Sequence, residues 1–210
     1  MRSLAPLSAP VAPVDALRRV GFLLERSRQH SRRVEAFRGA AATLREVDEG
    51  EVAQRVEEGT ITELAGIGKS TAGVIEQAVR GELPDYLARQ QEEHGSPLVE
   101  GGEAYTEAII GDCHLHSDWS DGGSPIEEMV LTAVELGQEW MVLTDHSPRL
   151  RIANGLSAAR LAEQLTLLGR IDASLGDAFT VMSGIEVDIL DDGELDQTPE
   201  MLDRLDLVTA

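Results

Sequence analysis

The spacing of hydrophobic positions divides the chain into two regions. Over residues 14–93, apolar side chains such as Leu17 and Val20 recur at roughly helical intervals with arginine and glutamate between them, which predicts a helical region. Residues 94–105 are rich in Gly, Ser, Pro and Glu and predict a linker. Residues 1–13, which are interrupted by prolines, predict a flexible N-terminal tail.

Beyond residue 105, short apolar runs alternate with amphipathic stretches. This alternation is typical of parallel strands joined by crossover helices. The predicted strands cover residues 106–112, 139–144, 179–185 and 205–210. The predicted helices cover residues 124–137, 157–175 and 198–204, with Ser124 and Ser157 as the N-caps of the first two. We therefore expect an α/β arrangement over residues 106–210.

Charge separates the same two regions. The net charge is −20, and residues 1–94 hold 13 basic and 15 acidic side chains, whereas residues 95–210 hold 5 basic and 23 acidic ones. Eight arginines lie within residues 18–45. The overall charge argues against a general nucleic-acid-binding protein, so any contact with DNA must be local to this arginine-rich helical stretch.

Composition also limits the compartment. No run of about 20 apolar residues is present, so the sequence predicts no transmembrane helix. Cys113 is the only cysteine, which excludes an intrachain disulfide and fits a reducing environment. We expect a cytoplasmic protein, with Cys113 buried as a small apolar residue.

A glycine-rich turn lies within the helical region. Gly66 and Gly68 let the chain turn tightly and leave N–H groups at the start of the next helix free to face an anion. Lys69, the only lysine in the chain, and Ser70 follow directly. The stretch resembles the helix-hairpin-helix motif, which implies that these four residues hold DNA phosphate without reading sequence. An ordinary connection between two helices is the alternative.

Imidazole and carboxylate groups follow the predicted strands. His114 and His116 are two positions apart on an extended segment and therefore face the same side. Asp121 lies on a turn shortly afterwards, and His146 and Glu186 end the next two predicted strands. Because parallel strands bring their carboxyl ends to one edge of the sheet, these side chains are predicted to meet there. Mixed histidine and carboxylate ligands suit Zn²⁺, Mn²⁺ or Fe²⁺, so the sequence predicts a metal site.

Three motifs resemble one enzyme superfamily. They are His114-x-His116-x-x-x-Ser120-Asp121-Gly122, Thr144-Asp145-His146 and Gly184-Ile185-Glu186-Val187-Asp188. In this order they resemble the polymerase-and-histidinol-phosphatase (PHP) superfamily, and most closely the C-terminal PHP domain of bacterial family X DNA polymerases. Through the glycine-rich turn and Val34-Glu35-Ala36-Phe37-Arg38-Gly39-Ala40-Ala41, the helical region is similar to the N-terminal domain of the same polymerases.

The resemblance implies an α+β multidomain protein. An all-α helix-hairpin-helix domain over residues 14–93 would be followed by the first part of a distorted (βα)₇ TIM-like PHP barrel over residues 106–210. The polymerase domain of that family would be missing, because residues 94–105 are too few to hold it. The last predicted strand runs to residue 210, before further ligands of the family, so we expect the front part of a longer protein or a product cut short.

The resemblance also implies roles for the strand-end residues. Up to three divalent cations (Mn²⁺, Zn²⁺ or Fe²⁺) would be held, with Asp145 orienting His146 from behind the ligands. His114, His116 and Glu186 would hold one cation, Asp121 and His146 a second, and Glu186 would bridge to a third.

The expected activity is hydrolysis of a phosphate ester. The leading hypothesis is a 3′-phosphatase or 3′–5′ exonuclease acting on gapped DNA or DNA 3′ ends. Arg149 and Arg151, in the loop after His146, are then predicted to meet substrate phosphate, although solvated loop arginines are equally consistent with the sequence. Two alternatives are a histidinol-phosphatase-like enzyme acting on a small phosphate ester and a non-catalytic DNA-binding remnant with an incomplete metal site.

Overall fold

The computed structural model describes residues 4–97 and 99–210, which belong to two compact units that divide next to residue 98. Each unit has its own hydrophobic core. In the described part of the chain, no helix combines the length and the hydropathy needed to cross a membrane.

Helices make up the first unit, residues 4–97. They are α1 (Pro13–Arg26), α2 (Ser31–Arg45), α3 (Glu49–Glu58), α4 (Lys69–Val79) and α5 (Asp85–His94), with a 3₁₀ turn at Ile61–Glu63 before α4. Side chains begin α2 and α3, since His30 and Asp48 accept hydrogen bonds from backbone N–H groups of the first turn. Gly59 ends α3 in the left-handed conformation, at φ 71°. The predicted helical region is confirmed.

The core of this unit is mainly aliphatic, and it also contains Phe37. Its buried members on three of the helices include Leu17, Val20, Leu24, Ile75 and Leu87. The helical spacing of the apolar positions is what brings them to one side of each helix.

The N-terminal segment is packed rather than loose. Leu4 and Val11 are both only 8% exposed. The backbone N–H of Leu7 donates to Gln91 Oε1 at 2.6 Å, and Gln91 Nε2 donates back to the carbonyl of Leu7 at 3.1 Å. The prediction of a flexible tail is therefore wrong for residues 4–13, because burial of its apolar side chains outweighs the effect of its prolines; residues 1–3 lie outside the described residues.

The second unit, residues 99–210, alternates helices and strands. In chain order its elements are α6 (Glu103–Ala108), β1 (Gly111–Leu115), α7 (Ile126–Glu135), β2 (Trp140–Leu143), α8 (Ala158–Leu175), β3 (Thr180–Glu186), α9 (Pro199–Leu202) and β4 (Leu207–Thr209). The described strands form one parallel sheet in the order β1-β2-β3-β4. The expectation of parallel strands with crossover helices is confirmed for this part of the chain.

Two predicted boundaries are wrong. Helix α6 extends to Ala108, and β1 begins only at Gly111. The strand predicted over 106–112 therefore starts too early. The hydroxyl of Thr106 donates to the carbonyl of Gly102 at 3.1 Å, which satisfies it locally within a helical turn. Helix α7 begins at Ile126 with Pro125 as its N-cap, one position after the predicted Ser124.

Helices α7 and α8 cover the sheet and fix its carboxyl edge. Ile126 on α7, Met141 and Leu143 on β2, and Leu161 on α8 are all fully buried. The N-cap predicted for α8 is confirmed, since the side chain of Ser157 accepts from the backbone N–H of Arg160. Because these buried side chains pack closely, the strands are held in place, and the residues that follow them have little freedom to move.

Replacing a core residue of β2 tests this packing. Leu143→Ala should lower the free energy of unfolding of the second unit by about 2–5 kcal/mol, because it leaves a cavity beneath the sheet edge. Leu131→Ala on α7, where the side chain is 41% exposed, is the matched control and should cost about 0.5 kcal/mol or less. Trp119 and Trp140 both lie in this unit, so tryptophan fluorescence during urea unfolding reports on it alone. Equal effects of the two variants would contradict the assignment.

Candidate metal centre

The candidate ligands meet because three parallel strands end side by side. β1 leads into His116, β2 into His146, and β3 ends on Glu186. Backbone hydrogen bonds lock the last two together: Glu186 N–H donates to the carbonyl of Asp145 at 3.1 Å, and Ser147 N–H donates to the carbonyl of Glu186 at 2.9 Å. The carboxyl edge of the sheet thus places His146 directly beside Glu186.

One carboxylate oxygen is the centre of the site. Glu186 Oε2 lies 3.2 Å from His114 Nε2, 3.1 Å from His116 Nε2 and 3.2 Å from His146 Nδ1. This oxygen is buried, and no hydrogen bond reaches it from any residue that the structure describes. A buried acceptor surrounded by nitrogens that do not donate to it is costly unless a cation is shared among them. The arrangement fits a divalent cation.

Asp121 extends the site on its other side. Its Oδ1 lies 3.5 Å from His116 Nδ1 and its Oδ2 lies 3.5 Å from His146 Nε2. Two groups of potential ligands result, one of His114, His116 and Glu186 and one of His116, Asp121 and His146. A neutral imidazole offers one lone pair, so His116 can serve one group at a time.

The electrostatics of the site favour neutral imidazole at its centre. Burial lowers the pKa of His116, and the neighbouring His146 lowers it further, against the opposing effects of Glu186, Asp121 and Asp145. A lowered pKa keeps His116 unprotonated at neutral pH, which is the form that binds a metal ion. Its Nδ1 is also buried and has no hydrogen-bond partner among the described residues.

Comparison with known proteins identifies the second unit. Residues 112–206 match the family described as the PHP domain.

Residues 112–206 are thus similar to the PHP domain family.

A 113-residue stretch, 54% of this chain, is 41% identical to the DNA polymerase/3′-5′ exonuclease PolX of Bacillus subtilis (strain 168). That stretch covers 19% of PolX, so the chain spans about a fifth of the length of this relative. The resemblance drawn from the three motifs is confirmed.

The carboxylate of Asp145, the residue before His146, makes different contacts from those predicted. Asp145, 1% exposed, accepts from the Ser117 N–H at 2.7 Å, the Ser117 hydroxyl at 2.6 Å, the Ser120 hydroxyl at 2.5 Å and Gln164 Nε2 at 2.6 Å. Its oxygens are committed to the loop after β1 and to α8, so the prediction that Asp145 orients the His146 ring is not supported. Sequence reasoning also missed Gln164; its signal is a polar residue on the buried side of α8, between Leu161 and Leu168.

The arginines predicted to meet substrate lie in the loop after His146. Arg149 and Arg151 are both exposed, and Arg149 Nε lies 3.9 Å from Asp188 Oδ2. The loop is closed at its base, because the Leu156 N–H donates to the carbonyl of His146 at 2.6 Å. Both arginines therefore lie on a short loop that begins at the candidate metal centre, and neither lies among the candidate ligands.

Cys113 is exposed, contrary to the prediction. β1 lies at the edge of the described sheet, and its pairing with β2 is irregular between Asp112 and Leu115, where Cys113 lies. Simple alternation along the strand therefore does not predict the exposure of this residue.

The glycine-rich turn of the helical unit is exposed as a phosphate contact requires. Gly66 adopts φ 79°, which favours glycine, and Gly68 is the N-cap of α4. The Gly68 N–H donates to Thr71 Oγ1 at 2.9 Å, whereas Lys69 and Ser70 present the first turn of the helix to solvent. A helix N-terminus of this kind favours an anion.

A glycine next to Asp121 provides a test of the loop geometry. A Cβ at Gly122 would lie 2.1 Å from the carbonyl oxygen of His116. Gly122→Ala should therefore displace the loop and lower the free energy of unfolding by about 1–3 kcal/mol. Gly169→Ala, in open space on α8, is the control and should raise it by about 0.5–1 kcal/mol. Urea unfolding followed by tryptophan fluorescence measures both, and a stabilising Gly122→Ala would show that the loop is not confined.

Proposed function

We propose that the chain is a metal-dependent phosphoesterase that acts on DNA 3′ ends. The observation that carries the proposal is the convergence of three imidazole nitrogens on the unpartnered Glu186 Oε2. Similarity to the PHP domain family supports phosphoester chemistry, and the name of the Bacillus subtilis relative, a 3′-5′ exonuclease, supports DNA as the substrate class. We further propose that the four-stranded sheet is the first part of the (βα)₇ barrel.

The ligands divide into two sets. His114, His116 and Glu186 would hold one cation, and Asp121 and His146 would hold a second, because His116 has one lone pair to give. Mn²⁺, Zn²⁺ and Fe²⁺ all suit this mixture of ligands, and Glu186 would bridge to a third cation. Bound cations would activate water and neutralise charge on the phosphoryl oxygens during hydrolysis.

Arg149 and Arg151 would bind the substrate phosphate. Both are exposed and both lie in the loop that starts directly after His146. A guanidinium group matches the geometry of phosphate oxygens and keeps its charge at any physiological pH. They would therefore orient the phosphate towards the ligands without taking part in proton transfer.

The helical unit would hold the DNA backbone. Gly66, Gly68, Lys69 and Ser70 are all exposed, and they surround the N-terminus of α4. The N–H groups of the first helical turn, the helix dipole and the charge of Lys69 all favour a phosphate at this point. Since these contacts involve the DNA backbone, binding would be independent of base sequence. We propose on that basis that this turn acts as a helix-hairpin-helix motif.

Removing the central carboxylate tests the metal-dependent activity. Glu186→Gln should weaken binding of Mn²⁺ by at least about 100-fold and abolish hydrolysis of a 3′-phosphorylated oligonucleotide, because the amide cannot supply the anionic oxygen at the centre of the site. Asp191→Asn, an exposed loop carboxylate, should leave both unchanged. Calorimetric titration and release of inorganic phosphate are the measurements. A wild-type protein that binds Mn²⁺ but hydrolyses only small phosphate esters would favour a small-molecule phosphatase, and one that binds no metal would favour a non-catalytic DNA-binding remnant.

Lys69→Gln tests the DNA contact. The substitution should weaken binding to gapped duplex DNA of any sequence and reduce the slope of log affinity against log salt by about one, since one phosphate contact is lost. Arg55→Gln is the matched control, because Arg55 is paired with Glu51 at 2.8 Å on α3 and should leave the slope unchanged. Electrophoretic retardation at several salt concentrations measures the slope. An unchanged slope in Lys69→Gln would place the DNA contact elsewhere.

A further inference from the structure

We propose that Gln164, on α8, is a positioning residue for the candidate metal centre. It holds the buried carboxylate of Asp145, and through that carboxylate the loop that presents Asp121. The inference rests on the proposed function, because it assumes that Asp121 holds a cation. It assigns a role to a helix residue that belongs to none of the three motifs.

Gln164 is placed for hydrogen bonding rather than for packing. Its side chain is fully buried, and Nε2 donates to Asp145 Oδ2 at 2.6 Å. Its Oε1 is also buried and has no hydrogen-bond partner among the described residues. A methionine or leucine would fill the same space without an unsatisfied oxygen, so packing alone does not account for glutamine here.

The orientation of the amide follows from its neighbour. A carboxylate only accepts hydrogen bonds, so the NH₂ group of Gln164 must face Asp145. The reverse orientation would set Oε1 against Oδ2 and create repulsion between two acceptors. The unsatisfied Oε1 is therefore a consequence of serving the carboxylate.

Asp145 connects α8 to the loop after β1. One oxygen, Oδ1, accepts from the N–H of Ser117 and from the hydroxyl of Ser120. The other, Oδ2, accepts from the hydroxyl of Ser117 and from Gln164. Four donors thus stabilise a buried charge, and Gln164 is the one that lies outside the loop and fixes the carboxylate from the helix side.

Asp121 depends on this loop more than the other ligands do. His114 lies within a strand, and Glu186 ends one, so the sheet holds them. Asp121 has a half-exposed side chain on the loop, and Ser120 Oγ lies 3.5 Å from its Oδ1 while bonding Asp145. Loss of a hydrogen bond to Asp145 should therefore weaken binding of the cation at Asp121 more than binding of the cation at Glu186.

Metal titration of the full chain tests the order of these effects. In Gln164→Met, the cation held by Asp121 and His146 should bind about 10- to 100-fold more weakly, with the other cation unaffected, as expected for loss of a group behind the ligands. Asp121→Asn should show the same selective loss. Calorimetric titration with Mn²⁺ and the visible spectrum of bound Co²⁺ are the readouts.

Gln197→Met is the matched control. Gln197 is also buried, and its Nε2 donates to the carbonyl of Leu156 at 3.4 Å, with no link to Asp145. It should bind both cations as the wild type does. An equal loss in Gln197→Met, or unchanged binding of both cations in Gln164→Met, would overturn the positioning role.

Amide hydrogen exchange tests the inference without metal. In Gln164→Met the amides of Ser117 and Gly122, which donate to Asp145 and to the Ser117 carbonyl, should exchange several-fold faster. The amide of Thr144, which donates to Leu115 in the sheet, should not change. If the wild type binds no cation, the proposed function fails, yet the exchange rates still decide whether Gln164 positions the loop. Unchanged exchange at both loop amides would refute it.

Discussion

The candidate site of the second unit depends on one constraint. A buried carboxylate oxygen that accepts no hydrogen bond is costly unless another group satisfies it. Glu186 Oε2 faces nitrogens of His114, His116 and His146 at 3.1–3.2 Å, and it accepts no hydrogen bond from the described residues. With the pKa of His116 lowered by burial, protonation of that ring does not relieve the cost. Divalent cations bound by these nitrogens and by Glu186 would satisfy the oxygen, and the parallel sheet supports the arrangement by holding the strand ends in place.

The surrounding structure holds these atoms in place. The paired backbones after β2 and β3 hold His146 and Glu186, and hydrogen bonds to a buried carboxylate hold the loop that carries Asp121. Asp145 therefore holds this loop in place, although it was expected to orient the ring of His146. The difference matters for the proposed metal centre, because one candidate ligand, Asp121, would depend on a loop and a helix, whereas His146 and Glu186 depend on the sheet.

The sequence predicted which histidine and carboxylate side chains lie together at the strand ends, since side-chain periodicity and the order of parallel strands follow from local rules. It could not predict the partners of Asp145, because Gln164 is 19 positions away and the contact depends on how α8 packs. The predicted burial of Cys113 and the predicted start of β1 were also wrong. The start of the strand depends on where α6 ends, and Thr106 is compatible with either a helix or a strand. Cys113 lies where the pairing of β1 with β2 is irregular, which alternation alone does not predict.

Bound cations would also change the electrostatic potential around the site. Residues 95–210 hold 23 acidic side chains against 5 basic ones, so a phosphate ester approaching this surface meets a repulsive field. Divalent cations at the strand ends would reverse that field locally, because bound ions are often the largest charges in a site. Two of the five basic residues, Arg149 and Arg151, lie in the loop that begins beside His146, which concentrates positive charge at the same place. Under the proposed function, admission of an anionic substrate and activation of its phosphorus would depend on the same ions, and loss of those ions would reduce substrate binding as well as turnover.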